Sequence, residues 1–371
     1  MAVSTSTSER TSAARATAVI DCGVVCNWAT RADLYAYLPS DWRDYVPPGQ
    51  PRFAVVMPSW NNPQGDWRPE ARTTGNGQAA SDVAAIAAHA LEPDVGKATL
   101  LMDEGALLPA VAATYIVEQL TVAANRWLVD RIDEIADNRL RGIAVLPAQV
   151  PLHAAEEVRR VAQVECIAGV HLRGNVLGKP FGHPVFHPIY EAAAEAGLPV
   201  VIESGGDALI DVPTQPTAGG LPMTYGEFAS LQACSLMTHI TSIISAGTFK
   251  TFPDLKIVLM GGGAAWLPWY LWRADAEWKG IRREIPWVEV PPSEYFGRNI
   301  LVGVGPLARG DDGSFDLSGL LSSIDRIETM CCYGSLYPRW NSDSADAVRD
   351  AFPASWHAPI LRENAERFYR W

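Results

Sequence analysis

The sequence predicts a single α/β barrel of the TIM type, and three observations carry that prediction. Short β-rich runs alternate with longer helical patterns from about residue 18 onward. Several runs are apolar almost throughout, as parallel strands covered on both faces must be. Eight such runs can be counted, with helical stretches between them and no shift of composition that would mark a second domain.

Taken in order, the expected strands are AVIDCGVV (18–25), ATLLM (98–102), GIAVL (142–146), IAGVHL (167–172), LPVVIE (198–203), KIVLM (256–260), RNILVGV (298–304) and IETMCCY (327–333). Amphipathic stretches such as LPAVAATYIVEQLTVAANRWLVDRIDEIA (108–136) and HPIYEAAAEAG (187–197) lie between them and read as helices. Three Gly/Pro-rich loops, 61–78, 205–222 and 305–316, are long enough to act as lids. The last two follow strands five and seven, at the end where barrel enzymes keep their chemistry.

The totals narrow the classes. At 371 residues, 48% hydrophobic and 19% charged, the chain is globular and long enough to bury a large core. A net charge of −12 with no Lys/Arg run argues against a nucleic-acid partner. Cysteines stand at 22, 26, 166, 234, 331 and 332 without a CxxC pair, which reads as buried thiols in a reducing cytoplasm. Residues 1–17 are small and polar, a floppy tail with no apolar signal region, and 18–371 form the barrel. Their two arginines and several Ser/Thr give a faint transit-peptide composition, but the tail is the preferred account. No run of 18 apolar residues occurs, so no membrane span is expected.

Four stretches together carry a family likeness. They are the opening strand followed by DLYAYLPSDWRDYV, then HPIYEAAAEAGLPVVIESGG, then ISAGTFKTFPDLKIVLMGGGAAWLPWYLWRADAEW, and CCYGSLYPRWNSD followed by NAERFY. In order and spacing they resemble the amidohydrolase-related metal-dependent hydrolases, in their decarboxylase-like branch. That resemblance implies a distorted (β/α)8 barrel with a metal at the C-terminal ends of the strands. It also implies ligands at particular positions, and this sequence departs from each. An acid-x-His or His-x-His pair should end strand one, where period-2 alternation points both side chains inward. Gly23 and Val25 stand there instead, while Cys22 and Cys26 have the other parity and should face the helices. Strand five ends in Glu203 where the family has His, and Gly261 follows strand six where this branch has Glu. The family's SDYPHWD reads SLYPRWN, so Leu336 replaces the Asp, Arg339 the His and Asn341 the second Asp.

A barrel metal site needs three or four convergent N/O ligands, and Glu203 alone cannot build one. The sequence is therefore expected to bind no metal or other cofactor. The reading it favours is a pseudo-amidohydrolase: a non-catalytic subunit paired with a ligand-complete homologue, or a homodimer. The alternative is a metal-independent enzyme of this fold, a hydrolase, lyase or cyclase, acting on a small aromatic or carboxylated substrate.

Under that alternative Glu203 is the acid/base, against the plainer reading of a carboxylate paired with an arginine in a site that no longer reacts. Arg173 and Arg339 follow strands four and eight, where two guanidiniums could replace a metal's charge and hold an anion, surface ion pairs being the plainer reading. His239 matches a histidine of this branch that could line the pocket, or is a satisfied helix histidine. Trp28, Trp266 and Trp340 flank the former ligand positions as aromatic walls. Trp269, Trp272 and Trp278 have helical spacing and read as core or subunit contacts. His183 and His187 are four apart, but Pro184 and Pro188 break the helix a metal pair would need. His171 ends a strand without a partner at ligand spacing. GGG at 261–263 lacks the P-loop lysine, and no GxSxG occurs.

Overall fold

A computed structural model describes residues 18–30, 32–45, 67–73, 77–91, 94–110, 113–174, 176–205, 224–307 and 315–371. The tail 1–17 and most of the three expected lid loops lie outside these residues. Eight parallel strands run in the order β1 to β8: Val19–Cys26, Val95–Met102, Leu140–Val145, Ile167–Arg173, Val200–Glu203, Ile257–Met260, Ile300–Gly303 and Cys331–Cys332. Their extended apolar runs carry the ladder, and each neighbour pairs in parallel register. The eighth strand is shorter than expected, because Ile327–Met330 forms a 3₁₀ turn before it.

No β8–β1 ladder forms, yet the wall is closed by backbone bonds from the segment after β8. Cys22 N–H donates to Tyr333 O (3.0 Å), Leu336 N–H to Gly23 O (2.7 Å) and Val25 N–H to Tyr337 O (2.7 Å). The architecture is a distorted (β/α)8 barrel.

Helices cover the outside. Among them are α1 (Val83–Ala90), α2 (Thr114–Ile135), α3 (Pro151–Val161), α4 (His187–Ala196), α5 (Gln232–Ser245), α6 (Leu267–Ile281) and α7 (Leu317–Leu321), while α8 (Asn364–Phe368) packs against the barrel's inner core. The amphipathic stretch from 108 begins as a 3₁₀ turn, Gly105–Ala110, and becomes α-helical only at Thr114. Inside the barrel, Ile20, Cys22, Leu101, Ile143, Ala168, Val201, Val258, Met260, Leu301 and Cys332 form a separate core. Phe368 and Tyr369 from the C-terminal segment plug this core, and Phe368 is 2% exposed. Burying a side chain of that size contributes about 2–3 kcal/mol.

The strand-one parity needs correction. One extra residue enters β1 between Asp21 and Val24 relative to β2. Cys22 faces the barrel interior beside Cys332, in step with inward-facing Ile20, and not the helices. Gly23 also faces inward, and a Cβ there would meet Met260 Cε at 2.7 Å and Leu336 Cδ2 at 3.5 Å. Cys26 and Val25 pack in the layer shared with the helices.

Candidate active site

Consecutive strands deliver their last residues to the same end of the barrel. Arg173 and Glu203 end β4 and β5 and face each other in register, and two residues below Arg173 on the same strand His171 pairs with inward-facing Val201. Asp103 follows β2, its N–H bonded to Cys26 O at 3.1 Å, which ties that turn to the end of β1. Arg339 sits in the turn after β8, its N–H on Leu336 O at 2.8 Å.

These five side chains form one charged cluster. Arg173 Nη1 and Arg339 Nη2 both donate to Asp103 Oδ1. Arg173 Nε lies 3.7 Å from Glu203 Oε2, and Arg339 Nη2 lies 3.9 Å from Glu203 Oε1. His171 Nε2 approaches Glu203 Oε2 at 3.2 Å, without the alignment of a hydrogen bond. The Arg339 guanidinium stacks over the Trp67 ring, 4.8 Å from its centroid, and backbone bridging holds Trp67 against Arg339. Gly205, at φ +92°, allows close approach: a Cβ there would stand 3.3 Å from Arg173 Nη2.

The electrostatics follow from burial and pairing. Burial alone would raise the Glu203 carboxyl, but Arg173, His171 and Arg339 outweigh it and hold the group down to about 2. The same contest leaves Asp103 lowered, with Arg339 and Arg173 prevailing over burial. Both carboxylates are therefore ionised at neutral pH. In that state neither can act as a general acid.

Other expected site residues fall elsewhere. His239 lies in α5, its Nδ1 accepting the Phe181 N–H at 3.2 Å while its ring stacks on Phe181 and bonds the Gly174 backbone. Burial lowers it to about 4, so it is a neutral tie between α5 and the loop after β4. Trp28 packs edge-on to Trp127 of α2, Trp266 donates to Gly263 O, and Trp340 is exposed, so these three do not form one aromatic wall. Of the spaced tryptophans of α6, Trp278 donates to Val288 O, but Trp269 and Trp272 are 60% and 63% exposed and belong to no core. His183 caps its own turn through the Val185 N–H, and His187 packs on Phe252.

Two participants escaped the sequence reading, and a third, His171, was seen without its partner. Asp103 carried a usable signal, an acid directly after a barrel strand. His171 was visible as a strand-end histidine, but its partner Glu203 is 32 residues away and only the ladder register unites them. Trp67 sits in a loop and gave no signal.

A model of the amidohydrolase family matches residues 79–371. The chain belongs to the amidohydrolase family. No curated protein matches it. Among solved structures, this family member is similar to a 5-carboxyvanillate decarboxylase from Novosphingobium aromaticivorans with bound manganese (20% identity, 95% of this chain and 97% of the other, TM-score 0.64). A manganese-bound dihydroxybenzoic acid decarboxylase from Polaromonas gives 18%, 95%, 96% and 0.65. An amidohydrolase from Mycobacterium avium subsp. paratuberculosis gives 18%, 95%, 98% and 0.68.

These neighbours correct the expectation of a non-catalytic subunit. The barrel is shared with decarboxylases of aromatic acids, and nothing in the comparisons points to a pseudoenzyme or to a pairing with an active homologue.

Two of those neighbours hold manganese, but the donors here do not suit it. Among the described residues no three His, Cys, Asp or Glu side chains converge as a metal would need. Before Gly23 the space is filled by the Met260 methyl and Leu336, and at Gly261 a Cβ would strike Ser204 Oγ at 2.6 Å. Asp103 and Glu203 are engaged by two guanidiniums, whose charge opposes a dication at the same place. The described residues do not fit the ion.

Proposed function

We propose that this chain is an enzyme of the amidohydrolase fold that acts, without a metal, on a small aromatic carboxylic acid and releases its carboxylate as CO2. The observation carrying the reading is the convergence of Arg173 and Arg339 on the mouth, fixed by Asp103 and facing Glu203. Two planar guanidiniums with restricted rotamers suit a carboxylate, because each presents paired donors. Their fixed positive charge does electrostatically part of what a cation does elsewhere in the family. The reaction class is an analogy with the decarboxylases of this fold.

In a hydroxybenzoate, ionised Glu203 takes the ring hydroxyl proton and returns it to the ring carbon that bears the carboxylate. The carbon–carboxylate bond then breaks, its electron pair returns to the ring, and CO2 and a phenolate leave. The arginines hold the carboxylate until that bond breaks.

The test is release of labelled CO2 from a panel of carboxyl-¹³C hydroxybenzoates by the purified chain, beside Glu203→Gln. Loss of turnover by about 10²–10⁴-fold in the variant supports Glu203 as the proton carrier of this step. A variant that keeps full turnover removes Glu203 from the mechanism. A panel that neither binds nor turns over removes the substrate class.

A further inference from the structure

A groove of about 760 Å³ runs between α5 and α6, and none of the five mouth side chains lines it. Met237 and Ile244 of α5, with Trp269, Trp278 and Ile281 of α6 and Ile285 just beyond it, give it an apolar lining. The surface beside it is apolar too. Trp269, Trp272, Ile281 and Trp287 are each between two-fifths and two-thirds exposed. An aromatic side chain carries roughly 150–250 Å², so these four leave about 400–500 Å² of apolar surface in water. That is as large as the largest apolar patch of an ordinary monomer, roughly 300–600 Å². It is also about the apolar share of one side of a standard dimer interface, a little over half of roughly 800 Å². Of the two readings that helical spacing leaves open for Trp269 and Trp272, exposure removes the core and leaves the subunit contact.

The charges on this face decide between partners. Arg273 and Glu277 stand one turn apart on the groove's edge, paired at 2.6 Å and each about half exposed. Exposed Lys279, Arg282, Arg283 and Glu284 continue the mixture of signs. A patch of one sign would suit nucleic acid or an anionic membrane. A patch of both signs suits a copy of itself, because a twofold axis can set each charge against its opposite. Two α6 helices laid antiparallel about Asp275 do this. Arg273 and Glu277 lie two residues either side of Asp275, so Arg273 opposes the partner's Glu277. Trp269 and Ile281 lie six residues either side, so Trp269 opposes the partner's Ile281 at the groove. The crest between them is low: Ala276 is small, and a Cβ at Gly280 would meet nothing within 4 Å. Two helices can therefore approach closely there.

We propose that the chain forms a homodimer through this face, with the two α6 helices antiparallel across a twofold axis and Trp269 of each copy seated in the other's groove. The face is separate from the mouth, so the association does not depend on what the mouth binds.

The experiment is sedimentation velocity of the full chain from about 1 to 100 µM. A species of twice the chain mass is expected. Trp269→Ala is expected to raise the dissociation constant by about 30-fold or more. Arg273→Glu and Glu277→Arg each set like charges across the axis and are expected to raise it about tenfold or more. The double variant, which exchanges the two charges, is expected to return it to within about threefold of the natural chain. A natural chain that stays monomeric throughout overturns the proposal, as does a dimer that Trp269→Ala and both single reversals leave intact. Weakening by the single reversals without recovery in the double variant overturns the antiparallel arrangement. A monomer that pellets with phosphatidylserine vesicles overturns the dimer in favour of a membrane surface.

Discussion

Arg339 is gripped from two sides by residues distant in the chain: its guanidinium carbon is 4.8 Å from the Trp67 ring centroid, and its Nη2 bonds Asp103. A long, flexible cation is thereby held in one place before any ligand arrives. Preorganised donors of this kind are the most effective electrostatic element of an active site.

Trp67→Ala removes the stacked face while leaving the Asp103 bond. A partly buried cation–π contact contributes about 1–2 kcal/mol, so benzoate affinity is expected to fall about 5–30-fold. Trp67→Phe, with a weaker but present π face, should fall between the two. Equal affinities for all three proteins would show that the stack does not position Arg339.

Acid stability reports the same cluster. The Glu203 carboxyl is held down to about 2 in the fold, below its ordinary value of 4.5. Its stabilisation is therefore present above about pH 4.5 and lost as pH falls toward 2, and lowered Asp103 acts in the same direction. Urea midpoints of the natural chain should fall steeply between pH 5 and 3. In Glu203→Gln that fall should be shallower by on the order of 2 kcal/mol. Parallel curves for the two proteins would mean that Glu203 is not held ionised by its neighbours.

The barrel was legible in the sequence because parallel strands covered on both faces must be nearly continuous apolar runs, and eight such runs recur. The site was legible only where chemistry and strand ends coincide. Glu203, Arg173 and Arg339 could be picked out because each follows or ends a strand, but nothing along the chain says that all three meet at Asp103. The bulge in β1 was invisible, since one inserted residue leaves no mark on an apolar run, and it lets Cys22 and its neighbour Gly23 both face the barrel interior. His239 matched a family position, yet its role here is decided by Phe181 and Gly174, which sequence spacing does not connect to it.

Added metal gives a separate check on the mouth. With Met260 and Leu336 filling the space before Gly23, and two guanidiniums on the carboxylates, the described residues offer a dication poor ligation. Manganese at about 100 times the dissociation constant of a real site would add about 2.7 kcal/mol and raise the thermal midpoint by several degrees. The expected shift with roughly 1 mM Mn²⁺ is under about 1 °C, and dialysis against a chelator should leave the midpoint unmoved. A rise of several degrees with Mn²⁺, reversed by the chelator, would refute the metal-free reading of the mouth.

The segment after β4 is set by one glycine. A Cβ at Gly182 would stand 2.1 Å from Ser242 C and 2.4 Å from Ile243 N, both in the backbone of α5. Neither can yield as a side chain would, so Gly182→Ala must push α5 away from residues 181–183. That displacement also breaks the His239–Phe181 bond and loosens Gly174, the residue after Arg173. The expected cost exceeds about 4 kcal/mol, seen as insoluble protein or a thermal midpoint lower by roughly 5 °C or more. Gly197→Ala is the comparison: its φ is +65° at the end of α4 and nothing lies within 4 Å, so only the backbone penalty of about 1 kcal/mol applies. If Gly182→Ala proved as mild as Gly197→Ala, α5 would not be packed on this segment as described, and Arg173 would have lost the support that holds its turn in place.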